Sequence, residues 1–155
     1  MKNTSQITLI LVLSSFINSL YAGETIHQTN DEKYLVIEDA WIAEAPPVSK
    51  VMAAYMRFNN AGEKAIEIIH AESDLYSSIE FHETKQENGI ARMIRHDTFN
   101  IPAHNKLELM PGGPHMMLFN PTKRLTEGDT VSIKLTTNNN KIKTVTLPVK
   151  KAYYD

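Results

Sequence analysis

From residue 34 onward the chain is a series of short β-type runs separated by turn signals, and no stretch keeps a helical period beyond about ten residues. Tyr34–Ile37 is followed by Asp39–Ile42, and Pro46-Pro47 breaks the chain. Met52–Phe58 alternates and stops at Asn59-Asn60-Ala61-Gly62. Ala65–His70, Ser78–Glu83, Ile90–Arg95 and Lys106–Met110 come next, and Pro111-Gly112-Gly113-Pro114 interrupts. His115–Phe119, Thr130–Thr136 and Lys141–Val149 complete the series. Strands at this spacing predict an all-β sandwich or barrel. The best helical candidate, Ala71–Tyr76, is a turn at most.

The N-terminus predicts an export signal. Lys2 precedes the apolar stretch Ile7–Ile17, and the small residue Ala22 ends the segment. Eleven mostly apolar residues are too few to span a bilayer. Residues 1–22 are therefore expected to be a signal peptide cut after Ala22, residues 23–33 a flexible leader, residues 34–150 one domain, and residues 151–155 a tail. About 133 mature residues suffice for one core and are too few for two. With Lys2 removed, 15 basic residues face 18 acidic ones. That balance gives no footprint for nucleic acid or for an anionic membrane surface, and no stable membrane insertion is expected after cleavage.

The chain contains no cysteine. Disulfides are excluded, as is lipid attachment at a cysteine after the apolar run, and the core alone must hold the fold. A blue-copper electron-transfer site is excluded too, because it needs a thiolate. What remains for metal chemistry is a set of soft, neutral donors: His82, Met93, His115 and Met117. Ten residues separate His82 from Met93, twenty-one separate Met93 from His115, and His115 and Met117 flank Met116. Thioether sulfur selects Cu(I), imidazole also suits copper, and Mg or Ca has no use for such ligands. Methionine also keeps its donor lone pairs without deprotonation in an oxidising compartment.

Parity on strands shows how these residues could converge. If Ile79 and Phe81 share a core face with Ile90 and Ile94, then His82 shares the other face with Ala91, Met93 and Arg95. A four-residue loop, Gln86–Gly89, would pair His82 with Met93, Thr84 with Ala91 and Glu80 with Arg95, with Gly89 supplying a positive φ. In the second half, Met116 and Leu118 suit the core, so His115 and Met117 point together to the opposite face. Met52, Met56 and Met110 read as core or turn residues, with Met110 near enough in sequence to serve as a backup ligand. His27, His70, His96 and His104 show no partner pattern, and Trp41 reads as a core residue. No paired carboxylates, nucleophile elbow or phosphate loop is present.

The spacing of His82, Met93, His115 and Met117 resembles the periplasmic copper A chaperone (PCuAC) family, whose mark is H-x10-M-x21-H-x-M. The surroundings are similar as well: Ala53-Ala54-Tyr55-Met56 with Asn59, His82-Glu83-Thr84, Gly89, Pro111-Gly112-Gly113, Leu118, Leu125 and Gly128-Asp129. The resemblance spans about Val36–Val149. It implies a cupredoxin-like, immunoglobulin-like Greek-key β-sandwich carrying one exposed Cu(I) site on those four residues. It also implies a periplasmic carrier that helps load the copper A centre of cytochrome c oxidase. The copper-accepting partner would be oxidase subunit II or a thioredoxin-like copper protein. Some members carry a Met- and His-rich C-terminal extension that binds Cu(II); residues 150–155 show no such composition.

This chemistry suits transfer, and the expectation is a metal carrier and not an enzyme. Two other classes stay open on sequence alone. One is a copper-sequestering resistance protein that never delivers its metal. The other is a secreted β-sandwich interaction module whose Met/His face has no metal function.

Overall fold

The computed structural model describes residues 34–152. The expected signal peptide, the whole leader with His27, and the last three residues of the tail lie outside the described residues. Ten strands follow one another: β1 (Leu35–Ala43), β2 (Val51–Asn60), β3 (Ile66–Glu72), β4 (Tyr76–Glu87), β5 (Ile90–His96), β6 (Phe99–Ile101), β7 (Asn105–Leu109), β8 (Pro114–Pro121), β9 (Thr130–Thr137) and β10 (Ile142–Lys150). The hydrogen-bonded order is β5-β4-β8-β2-β1-β10-β9-β3-β6, with β7 also on β2. The β1–β10 pair is parallel and joins an antiparallel group containing β2, β4, β5, β7 and β8 to one containing β3, β6 and β9. Phe58, Met116 and Leu118 from the first group and Ile68, Ile133, Leu135 and Leu147 from the other side meet in one core with essentially no exposure. The fold is an all-β, cupredoxin-like sandwich, as expected.

Three local departures from regular pairing place the outward face. In β1, Glu38 pairs Arg57 while Trp41 pairs Tyr55, so Asp39 and Ala40 together oppose a single residue of β2. Asp39 has φ 52° at this bulge, and its carboxylate meets Arg57 Nη1 at 2.8 Å. A bulge reverses parity along the strand. Leu35 and Ile37 face the core before it and Ile42 after it, which is why the sequence reads as two runs. Trp41 is thereby turned to the outer face. Its expected place in the core is incorrect, because unbroken alternation from Leu35 would have pointed it inward.

The β4–β5 hairpin is the second. Glu87 pairs Ile90, leaving the two-residue turn Asn88-Gly89, with φ 53° and 78°. Positive φ at both central residues matches the right-handed twist of the strands, so Asn-Gly closes the hairpin more tightly than a four-residue loop. The register is shifted by two residues from the expected one. Thr84 pairs Met93, His82 pairs Arg95, and Gln86 pairs Ala91. An even shift preserves faces, so Met93 still shares the face of His82. Ile90, expected in the core, is instead 61% exposed near the hairpin tip.

The third departure lies along β2. Its Met56–Asn60 half pairs β7 and its Val51–Ala54 half pairs β8. β7 and β8 thus occupy the same edge of β2, interrupted by residues 110–113. That excursion closes on itself through Met110 N–H donating to Pro114 O at 2.8 Å and Gly113 N–H donating to Met110 O at 3.1 Å. Gly112 takes φ 78° there, a conformation glycine adopts without a Cβ penalty. Ala71–Tyr76 contains no helix: β3 ends at Glu72 and β4 begins at Tyr76. The short strand β6 had no sequence signal of its own.

Candidate metal centre

Strand pairing carries the outward face across five strands. On β8, His115 lies directly opposite His82 of β4, and Met117 lies opposite Glu80. On the other side of β8, Met117 lies opposite Ala53 of β2. Trp41 of β1 then pairs Tyr55, and Met93 of β5 stands opposite Thr84. Directly opposed residues on one face have Cβ atoms roughly 4.5–5.5 Å apart, and diagonal neighbours remain within reach of long side chains. His82 and His115 form a direct pair; Met93 is diagonal to His82, not opposite it as the four-residue loop implied.

The two imidazoles lie side by side, with ring centroids 6.1 Å apart and planes 28° apart. His115 is buried, at 6% exposure. Its Nδ1 is 2.9 Å from Gly113 O, to which it donates. That bond fixes the tautomer and leaves the Nε2 lone pair free as a donor. The same carbonyl accepts the Thr84 backbone N–H at 3.1 Å, so the excursion before β8 both closes the β4–β8 edge and orients the ring. His82 is held differently. Its Nε2 lies 2.9 Å from Glu80 Oε2, while its Nδ1 is buried and has no hydrogen-bond partner among the described residues. A buried ring nitrogen without a partner is costly, and a metal ion is one group that would satisfy it.

Met93, His115 and Met117 line a common cavity of about 280 Å³, together with Thr84, Ala53 and Tyr55. His82 does not line it; its ring lies beside His115, with only 13% of the side chain exposed. Met93 is 56% exposed at the rim. The set therefore grades from a buried imidazole to an open thioether. A neighbouring depression of about 340 Å³ shares Ala45, Pro46 and Met52 with the first cavity but contains no imidazole.

Apart from Met52, which also borders the cavity, the other methionines and histidines lie away from this arrangement. Met52 and Met56 are buried in the core. The Met52 sulfur accepts a hydrogen bond from Tyr76 Oη at 3.2 Å, and burial pushes the Tyr76 phenol up to about 12. Met110 is half exposed and packs over Gly113, where an added Cβ would meet its Cγ at 3.2 Å. His70 and His104 form surface pairs with Glu72 and Glu63, and His96 lies 2.9 Å from Glu83. Among the described residues no group of three or more His, Asp or Glu side chains is arranged to hold a metal ion.

Sequence reasoning missed the aromatic wall. Tyr55 is buried beside the cavity, its ring centroid 6.5 Å from His115 and 4.9 Å from Trp41. Alternation in β2 offered a signal, since Ala53 and Tyr55 interleave with the core residues Met52, Ala54 and Met56. Trp41 gave none, because its position depends on the bulge.

Known proteins share this frame. Residues 35–149 match the family described as "Putative lipoprotein LpqE-like". A relative from Leifsonia xyli subsp. xyli, "Putative lipoprotein Lxx21020", is 33% identical over 115 residues, covering 74% of this chain and 68% of its own. The uncharacterized protein RP573 of Rickettsia prowazekii is 30% identical over 98 residues, 63% of this chain and 54% of its own length. Among solved structures, the copper-bound PCuAC domain from PmoF2 superposes with a TM-score of 0.66 at 20% identity, covering 77% of this chain and 94% of that domain. The CuI form of DR1885 from Deinococcus radiodurans superposes with a TM-score of 0.62 at 32% identity, covering 75% and 77%. From its sequence match this chain belongs to the LpqE-like family, and it shares the fold of the PCuAC domains.

Proposed function

We propose that this protein is a Cu(I)-binding metallochaperone that takes copper on His82, Met93, His115 and Met117 and passes it to a partner. The observation that carries this reading is the convergence of two imidazoles and two thioethers on one face of the sheet, with His115 presenting a free Nε2 and His82 a buried, unpartnered Nδ1. Soft neutral donors of this kind favour Cu(I) over hard cations. The 32% identity to DR1885, which has been solved in a CuI form, supports the same metal.

The arrangement suits delivery. Buried His115 anchors the ion, while exposed Met93 offers a ligand that an acceptor's donor can displace from the solvent side. Neutral ligands bind without a closed cage of thiolates, so a partner can attack the metal stepwise. No acid–base pair or nucleophile is required, and we read the protein as a carrier and not an enzyme. The export signal read in residues 1–22 places it in the periplasm in this account. Its acceptor would be subunit II of cytochrome c oxidase or a thioredoxin-like copper protein acting in assembly of the copper A centre.

Deletion of the gene in the producing cell tests delivery. Loss of oxidase activity that added copper restores is the expected result. Copper sensitivity with normal oxidase would instead mark a sequestering protein.

A further inference from the structure

Glu80 lies two residues before His82 on the same outward face of β4 and directly opposite Met117 of β8. Its two carboxylate oxygens are divided between two partners. Oε2 lies 2.9 Å from His82 Nε2, and Oε1 lies 3.2 Å from Arg95 Nη1. Arg95 in turn pairs His82 across the β4–β5 hairpin. The carboxylate is therefore braced from a neighbouring strand while it holds the imidazole, and only 26% of the Glu80 side chain is exposed.

We propose that Glu80 is a positioning residue for the copper site: it fixes His82 as the Nε2–H tautomer and so makes Nδ1 the donor atom for Cu(I). The inference rests on His82 being a copper ligand. With Nε2–H donated to a carboxylate, the neutral ring keeps its lone pair on Nδ1, and Nδ1 is the atom left buried without a partner. His115 has the reverse arrangement, Nδ1–H donated to Gly113 O and Nε2 free. The two rings thus keep their lone pairs on opposite nitrogens, the other nitrogen of each bonded to an oxygen acceptor, the outer-shell role that orients metal-bound histidines. Glu80 is poorly suited to ligate the ion itself. Its oxygens are engaged by His82 and Arg95, and a hard carboxylate is a weak choice for Cu(I).

The test is nitrogen–proton multiple-bond NMR on the full ¹⁵N-labelled protein, without metal and with one equivalent of Cu(I). It is joined to Cu(I) affinity measured against a competing chelator. In the wild-type protein we expect the His82 Nε2–H tautomer in both states, with the Nδ1 resonance moving on copper addition. Glu80→Ala should give mixed His82 tautomers and about 10–100-fold weaker Cu(I) binding. Glu80→Gln, whose amide oxygen can still accept from Nε2–H, should keep the tautomer and recover part of the affinity. Arg95→Gln, which leaves the carboxylate but removes its brace, should weaken binding less than Glu80→Ala. An Nδ1–H tautomer in the metal-free protein, a His82 Nε2 that loses its proton to copper, or a Glu80→Ala variant unchanged in both readouts would overturn the proposal. His82→Ala separates the two levels of the argument. If it leaves Cu(I) affinity intact, the ligand assignment itself fails. If it abolishes tight binding while Glu80→Ala changes nothing, only the positioning role fails.

Discussion

His82 and His115 stand directly opposite each other across β4 and β8, with their ring centroids 6.1 Å apart. The pair joins two segments far apart in sequence, so the proposed donors come together only when the sheet is assembled. His82→Ala and His115→Ala should each lower Cu(I) affinity by at least about tenfold, a loss of about 1.4 kcal/mol or more of binding free energy. Their effects on the metal-free fold should differ. His115 is buried and bonded to Gly113 O, so its replacement should cost about 1 kcal/mol of stability. His82→Ala also removes an orphaned buried nitrogen and should cost less. Urea unfolding of both metal-free variants checks the order; a reversed order would contradict it.

The thioethers should separate binding from stability. Met93 is 56% exposed, and Met93→Leu should change metal-free stability by under about 0.5 kcal/mol while weakening Cu(I) binding. Met117→Leu should behave similarly, within about 1.5 kcal/mol. Met116, one residue away on the core face, has no exposure. Met116→Ala should cost about 2–5 kcal/mol and leave the donor set in place. Thermal melts beside chelator competition test this. A Met93→Leu variant that unfolds would place that residue in the core.

Gly89 connects turn chemistry to the site. With φ 78° and nothing within 4 Å of an added Cβ, Gly89→Ala meets no clash and should lose about 1–2 kcal/mol through backbone strain alone. Because the Asn88-Gly89 turn sets the β5 register, and with it Met93, Cu(I) affinity should also fall. Restored affinity in Gly89→Asn, a residue that tolerates this region better, would support the link.

Much of this architecture was legible in the sequence because a strand has a period of two. Met116 and Leu118 pointing inward fixes His115 and Met117 outward, and no tertiary knowledge is needed. The faces of His82 and Met93 were legible on the same ground. Their register turned on Asn88-Gly89, a dipeptide that favours the two-residue turn over the expected four-residue loop, and both choices preserve parity. Trp41 was unreadable for the opposite reason: a single extra residue at Asp39 inverts parity, and nothing in the run Glu38–Ile42 announces it. That β4 and β8 are neighbours lies in the long-range topology, beyond local pattern.

Tyr76 gives the fold an alkaline limit. Its phenol is raised from 10.0 to about 12 by burial, so the folded state holds this proton more tightly than the unfolded chain. The resulting stabilisation is fully present below about pH 10 and is lost as pH rises toward 12, amounting to at most about 2–3 kcal/mol. Tyr76→Phe should flatten that part of the pH–stability curve, at a cost of about 1 kcal/mol at neutral pH for the lost bond to Met52. Urea midpoints between pH 8 and 11.5 provide the readout; an unchanged slope in the variant would exclude Tyr76 as its source.

The central claim, one soft four-donor copper site on the outer face, is tested most directly by X-ray absorption at the copper edge on protein loaded with Cu(I) to the stoichiometry found by chelator competition. The account predicts one tightly bound Cu(I) per chain with both sulfur and nitrogen neighbours, and loss of sulfur scattering in the Met93→Leu, Met117→Leu double variant. A shell of nitrogen and oxygen alone, or two or more tight Cu(I) ions per chain, would contradict it.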